Sequence, residues 1–198
     1  MTPHVTMTAR YGRVRLRLRI TGGECRGRVI TGPEGLEVRP TASKIRQAFF
    51  NILSNKVDGA RFVDVCAGSG LMGFEALSRG AASLISIEES RRMVEAIRGN
   101  ANRLGFEGVA EVIAGDARKA LAVLSPGEAD IIFADPPYKA RLQEAILIVV
   151  SDGELLSAEG VFSIEHANDL RLPEETSSLV QYDRRKYGQT AVSFYRRK

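Results

Sequence analysis

From Arg61 onward the chain alternates between two periodicities, and that alternation limits the possible folds more than any other feature. Short apolar runs predict strands at 61–66, 83–88, 109–114, 129–134 and 160–165. Between them, stretches with apolar residues every three or four positions predict helices at about 70–79, 90–104, 117–124 and 140–151. The second helix is the clearest. Ser90 stands at its start, Met93, Val94, Ile97, Ala101 and Leu104 share one face, and Gly105 ends it. Repeated strand–helix units imply a mostly parallel sheet covered by helices on both sides. The pattern then changes. Ser178–Lys186 and Thr190–Arg197 read as two strands joined by Tyr187-Gly188-Gln189, which can pair only as an antiparallel hairpin at the end of the sheet.

The N-terminal part reads differently. Met1 to about residue 12 shows no periodicity and is expected to lack order. In Arg13-Val14-Arg15-Leu16-Arg17-Leu18-Arg19-Ile20, arginines and aliphatics alternate onto opposite faces of a strand. Gly22-Gly23 predicts a turn, Gly27-Arg28-Val29-Ile30 a partner strand, and Gly32-Pro33 its end. Thr41 or Ser43 can cap a helix reaching about Leu53. The expected organisation is therefore a basic hairpin and helix over 13–57 and a Rossmann-like domain over 58–198.

Charge follows this division. Residues 1–60 hold 11 Lys/Arg against 4 Asp/Glu, residues 61–183 hold 11 against 20, and residues 184–198 hold 6 against none. A modest overall charge of +4 thus hides two basic ends, which suggests a polyanionic partner. The 2 cysteines and 2 histidines give no metal-ligand spacing, so no metal is expected; Cys66 reads as a small core residue and Cys25 as incidental. No apolar run approaches the roughly 20 residues a membrane span needs, and the N-terminus is not a secretory signal. A cytoplasmic protein acting as a monomer, with no membrane partner, is the expectation.

The strand Phe62-Val63-Asp64-Val65-Cys66 runs directly into Ala67-Gly68-Ser69-Gly70 and a helix. Glycines let a ligand approach the backbone, and the helix start offers free N–H groups. No Gly-Lys-Ser/Thr follows, which excludes a Walker P-loop, and the turn is read as lacking the third glycine of the dinucleotide fingerprint. Asp64, Glu88 and Asp116 fall at the ends of three successive predicted strands. Glu88 is placed to accept both ribose hydroxyls, and Asp116, followed by Ala117, to accept from an adenine amino group. Together they describe a pocket for an adenosine with a cationic tail.

Asp135-Pro136-Pro137-Tyr138 follows the apolar strand Ile131-Ile132-Phe133-Ala134. Consecutive prolines fix the backbone and remove two N–H donors, leaving a rigid turn of acceptors. The Asp135 carboxylate and Pro136 carbonyl can each accept one hydrogen of an –NH2 group, and Tyr138 offers a face for a planar base. The turn therefore suits an exocyclic amino group.

The acid-plus-glycine turn resembles the first motif of class I S-adenosylmethionine-dependent methyltransferases, and Asp135–Tyr138 resembles the amino-methyltransferase tetrapeptide. Further segments extend the likeness: Arg19-Ile20-Thr21-Gly22-Gly23, Arg26-Gly27-Arg28, Arg39-Pro40-Thr41, Ile45-Arg46, Phe49-Phe50-Asn51, Glu75–Ala81 and Tyr187-Gly188-Gln189-Thr190. Together they resemble the bacterial RsmD-type family of 16S rRNA guanine-N2 methyltransferases. The resemblance implies S-adenosylmethionine as cofactor, contacted by Asp64, Ala67, Gly68, Ser69, Gly70, Glu88, Asp116 and Ala117. It implies Asp135, Pro136, Pro137 and Tyr138 as the catalytic turn. It also implies 16S rRNA, within the 30S subunit or an assembly intermediate, as the partner. Arg15, Arg17, Arg19, Arg26 and Arg28 are the candidate RNA contacts on the hairpin, with Arg39, Thr41 and Arg46 beyond it. The basic clusters 184–186 and 196–198 stand open between RNA contact and solvated ends. Two other readings stay open: an adenine-N6 methyltransferase acting on DNA or RNA, and an inactive RNA-binding assembly factor.

Overall fold

The computed structural model describes residues 15–34, 43–138 and 142–198. The lack of order expected for residues 1–12, and the placement of Arg39 and Thr41, lie outside the described residues.

A two-stranded antiparallel ribbon comes first, β1 (Arg15–Arg19) and β2 (Val29–Glu34). The helix α1 (Ser43–Ile52) follows. Then come β3 (Arg61–Val65), α2 (Leu71–Ser78), β4 (Ser83–Glu88), α3 (Arg91–Leu104), β5 (Ala110–Ala114), α4 (Ala117–Leu121) and β6 (Ala129–Ala134). The chain continues through α5 (Leu142–Asp152), β7 (Leu156–Ala167), β8 (Leu179–Tyr187) and β9 (Thr190–Arg197). Strands β3 to β9 form a 7-stranded sheet in the order β5-β4-β3-β6-β7-β9-β8. Strands β3 to β7 pair parallel, and β9 pairs antiparallel with both β7 and β8. The expected strand–helix alternation and terminal hairpin are both present. The hairpin folds back so that the last strand lies inside the sheet and β8 forms its edge.

The strand order reverses between β3 and β6, so the loops after these neighbouring strands splay to opposite sides and open a crevice at their carboxyl ends. Alternate residues of the central strands serve opposite layers. Phe62, Ile131 and Phe133 join α1, α2 and α3 on one face; Val63, Val65 and Ile132 join α4 and α5 on the other. Phe49 anchors the first layer, edge-on to Phe50 and Phe133.

Three local readings change. Gly32 and Pro33 do not end the partner strand; they lie within β2, which runs to Glu34. This is a ribbon of two strands, where a missing N–H interrupts little. The helix after β5 stops at Leu121, and Cys25 is buried in the first layer beside Ile20 and Ile30.

The ribbon is fastened to α2 by polar bonds as well as by this apolar layer. Glu75 is fully buried, and its carboxylate accepts from the Thr21 amide and hydroxyl, both at 2.8 Å. It also accepts from Arg79 at 2.8 Å and lies 3.5 Å from the Arg46 guanidinium. Ser78 receives the Glu24 amide on its carbonyl at 2.7 Å and the Cys25 amide on its hydroxyl at 2.9 Å. Gly23 has φ +75°, and a Cβ there would overlap the Ser78 carbonyl oxygen. Only glycine permits this backbone path at this approach.

Candidate active site

The crevice at the switch point is a cleft of about 530 Å³, within the usual range for a small-molecule site. It is lined by Asp64, Cys66, Ala67, Gly68, Ser69, Glu88, Asp116, Ala117 and the turn Asp135–Tyr138. The structure thus brings together, in one cavity, all the residues expected to hold a cofactor except Gly70, which caps α2 just behind it.

The glycine turn is held by the acids around it. The Gly68 amide donates to Glu88 Oε2 at 2.8 Å, and Glu88 Oε1 accepts from the Ser90 amide at 2.8 Å. Asp64 lies in β3, 2% exposed, and accepts from the Gly73 amide at 3.0 Å. Gly73 completes a Gly-x-Gly-x-x-Gly spacing with Gly68 and Gly70, which corrects the expectation that a third glycine is lacking. A Cβ on Gly73 would press into the Leu84 side chain, so this glycine sets how closely α2 lies on β4. Asp116 lines the cleft and also has partners within the fold. Its carboxylate caps α4, accepting from the Arg118 and Lys119 amides at 2.9 and 3.3 Å, and pairs with the Arg118 guanidinium at 2.8 Å. The Arg118 hydrogen bond holds it down at about 2. Most of its acceptor capacity is therefore used within the fold, and an adenine amino group would meet what remains.

Burial pushes the Asp64 carboxyl up to about 8; the Gly73 amide opposes this, and the Asp135 and Glu88 charges add to it. An acid raised in this way keeps its proton in the folded chain, while an unfolded aspartate ionises near pH 4. Between about pH 4 and about pH 8 the folded chain binds more protons, so stability falls as pH rises, by up to about 1.4 kcal/mol per unit. We expect the melting temperature of the unliganded protein to fall from about pH 5 to about pH 8 relative to Asp64→Asn, which keeps an acceptor for Gly73. Parallel pH profiles for the two proteins would remove this assignment. Burial likewise pushes the Cys66 thiol up to about 12; this residue packs against the second core layer at the edge of the cleft. No cluster of metal-binding side chains occurs among the described residues.

The turn Asp135–Tyr138 leaves β6 with the Asp135 amide bonded to the Val65 carbonyl at 3.2 Å. Tyr138 is half-buried, and its hydroxyl donates to Glu165 Oε1 at 3.1 Å and lies 2.9 Å from Thr190 Oγ1. Glu165 lines the same cleft, 3% exposed. Neither Glu165 nor Thr190 was singled out as a site residue. The signal available was a lone acid closing the apolar run Val161-Phe162-Ser163-Ile164, the pattern already used for Asp64 and Glu88.

Arg17, Arg19, Arg26 and Arg28 are exposed on the ribbon. Arg15 belongs to β1, but its side chain lies outside the described residues. Arg46 does not join them. It is 4% exposed on the buried face of α1 and turns inward to Glu75. Its assignment as an RNA contact is corrected accordingly, because a guanidinium enclosed between α1 and α2 cannot reach a phosphate.

A sequence model of the family described as conserved hypothetical protein 95 matches residues 18–196. The chain belongs to this family. Within the conserved hypothetical protein 95 family, relatives carry names that match the RsmD-type resemblance. Ribosomal RNA small subunit methyltransferase D of Escherichia coli K12 is 32% identical over 180 residues, covering 91% of this chain and 90% of that protein. The solved structure of the Escherichia coli protein yhhF is 31% identical with a TM-score of 0.80, covering 92% of this chain and 98% of that one. A Thermus thermophilus 16S rRNA N2 G1207 methyltransferase, RsmC, solved with AdoMet and guanosine, has a TM-score of 0.72 at 19% identity. It covers 93% of this chain and 50% of that one, and shows the shared fold. The Rossmann-like class I methyltransferase architecture of this family member is thus common to both solved proteins.

Proposed function

We propose that this protein transfers a methyl group from S-adenosylmethionine to the exocyclic N2 amino group of a guanine in 16S rRNA. The observation that carries the reading is the single cleft in which the glycine turn and its acids meet Asp135-Pro136-Pro137-Tyr138. The small-subunit rRNA methyltransferase name of the 32% identical relative supports the substrate class. In the Thermus thermophilus protein the same fold holds AdoMet and guanosine.

The residues present fit the cofactor. Carboxylates of Glu88 and Asp135 line the cleft and favour a cationic ligand, while Met72, Ile87 and Leu142 supply apolar walls. S-adenosylmethionine supplies a methyl group already activated on a sulfonium sulfur. The protein therefore needs no strong base; it must position and stabilise. Asp135 and the Pro136 carbonyl hold the two amino hydrogens, which turns the nitrogen lone pair outward. Asp135 also stabilises the positive charge that develops on that nitrogen. Tyr138, pinned through its hydroxyl, gives the flipped base a fixed face. The amino proton departs to water.

The arginine charges support the way RNA would approach. On the ribbon, guanidiniums rest against neutral oxygens: Arg19 donates to the Gly27 carbonyl at 2.7 Å and Arg28 to the Arg103 carbonyl at 2.5 Å. Arg103, on α3, donates to Thr31 Oγ1 at 2.9 Å. At the C-terminal end, by contrast, Arg185, Arg197 and Lys198 pair with Asp183, Glu154 and Glu175. A charge already neutralised gains little from a phosphate, so the ribbon is the better RNA surface. Its contacts would position the subunit, not read its sequence. Acting on the small subunit places the protein in the bacterial cytoplasm; no described helix is long and apolar enough to cross a membrane.

The test is transfer of label from tritiated S-adenosylmethionine to purified 30S subunits, naked 16S rRNA and duplex DNA, followed by nucleoside mass spectrometry. We expect N2-methylguanosine from the ribosomal substrates. Replacing Arg17, Arg19 and Arg28 together with Gln should lower incorporation and leave cofactor affinity intact. Label confined to DNA, or to N6-methyladenine, would overturn the reading.

A further inference from the structure

Glu165 enters the chemistry described so far only as an acceptor for the Tyr138 hydroxyl. Strands β6 and β7 are parallel with Ala134 opposite Ile164, so the next pair in register is Asp135 and Glu165. Neighbouring strands lie about 4.8 Å apart, which sets two carboxylates side by side at the mouth of the sheet. Glu165 is 3% exposed and lines the cleft with the whole Asp135–Tyr138 turn. Keeping a carboxylate in so enclosed a place is costly unless a partner or a ligand needs it.

We propose that Glu165 selects guanine by accepting the N1–H of the flipped base while Asp135 and Pro136 hold its amino group. The inference rests on the guanine-N2 reading above. Three bases carry an exocyclic amino group. In adenine and cytosine the ring nitrogen on the Watson–Crick edge next to that group is an acceptor. In guanine alone it is an N–H donor. An acceptor beside the amino-binding turn therefore complements guanine and opposes the other two, which would bury two acceptors face to face. One side chain at this register position discriminates against both. Tyr138, bonded to Glu165 Oε1, sets the plane of the base and the rotamer of its reader together.

Glu165→Gln tests this without dismantling the site, since Gln keeps an oxygen for the Tyr138 hydroxyl and gains an N–H. The guanine methylated by the unaltered enzyme is located by nuclease digestion and mass spectrometry. 16S rRNA with guanine or 2-aminopurine at that position is then prepared by ligation and reconstituted into 30S subunits. 2-Aminopurine keeps the amino group and replaces N1–H with an acceptor. The unaltered enzyme should prefer guanine by at least about 100-fold in kcat/KM. In Glu165→Gln that preference should shrink to below about 10-fold, with an absolute gain on 2-aminopurine because the Gln N–H can now pair with N1. Comparing the ratio in the two enzymes cancels the other differences between the bases. An equal loss on both substrates, leaving the ratio unchanged, would show that Glu165 only seats Tyr138 and would overturn the proposal. Absence of methylguanosine from the unaltered enzyme would instead overturn the reading of function on which it rests.

Discussion

Asp135→Ala should lower turnover by at least about 100-fold, the scale of losing one well-aimed electrostatic contact at a reacting centre. S-adenosylmethionine affinity should stay within about tenfold, or roughly 1.4 kcal/mol. The two effects separate because of where the side chain sits. Asp135 leaves the end of β6, tied by its amide to Val65, and lines the cleft. Glu88 and Gly68, which shape the glycine turn, are bonded to each other and do not depend on it. Single-turnover kinetics with 30S subunits and calorimetry with S-adenosylmethionine measure the two quantities. Turnover close to that of the unaltered enzyme would refute the role given to Asp135.

The second large effect concerns folding. Glu75→Ala should destabilise the protein by roughly 3–5 kcal/mol, the range seen when one partner of a buried ion pair is removed. Arg46, 5% exposed at its side chain, would be left enclosed without its carboxylate, and burial already lowers its pKa. Arg79 would lose its partner as well, keeping only its place over the Phe50 ring. For a chain of this size a loss on that scale lowers the melting temperature by about 10 °C. The Thr21 amide, which bonds to Glu75 at 2.8 Å, should exchange faster with solvent than the amides of β3. A change in melting temperature below about 2 °C would show that the network contributes little.

These two residues also mark what the sequence could reveal. Asp135 was legible because its chemistry is local: an acid, two prolines and an aromatic ring follow one apolar strand without interruption. The glycine turn and the acids at 64 and 88 were legible for the same reason. Glu75 was not, since its partners Thr21 and Arg46 lie 54 and 29 positions away in the chain. Arg46 looked like one more exposed cation among many, and only the packing of α1 on α2 turns it inward. Asp116 followed a strand like its two counterparts, but Arg118 two positions on claims its carboxylate. Glu165 stayed hidden because its meaning depends on the register of β6 against β7, which no local pattern encodes. The ribbon's arginines could be counted in the sequence, but not sorted from the neutralised ones at the other end.

The place of β9 in the sheet has a consequence for the life of the molecule. Thr190, its first residue, touches the Tyr138 hydroxyl from 52 positions further along the chain. During synthesis the glycine turn and Asp135 emerge well before this strand, and β7 must wait with one flank unpaired until β9 slides in between it and β8. The nascent chain can shape the glycine turn early, but the Tyr138 hydroxyl meets Thr190 only when this later strand arrives.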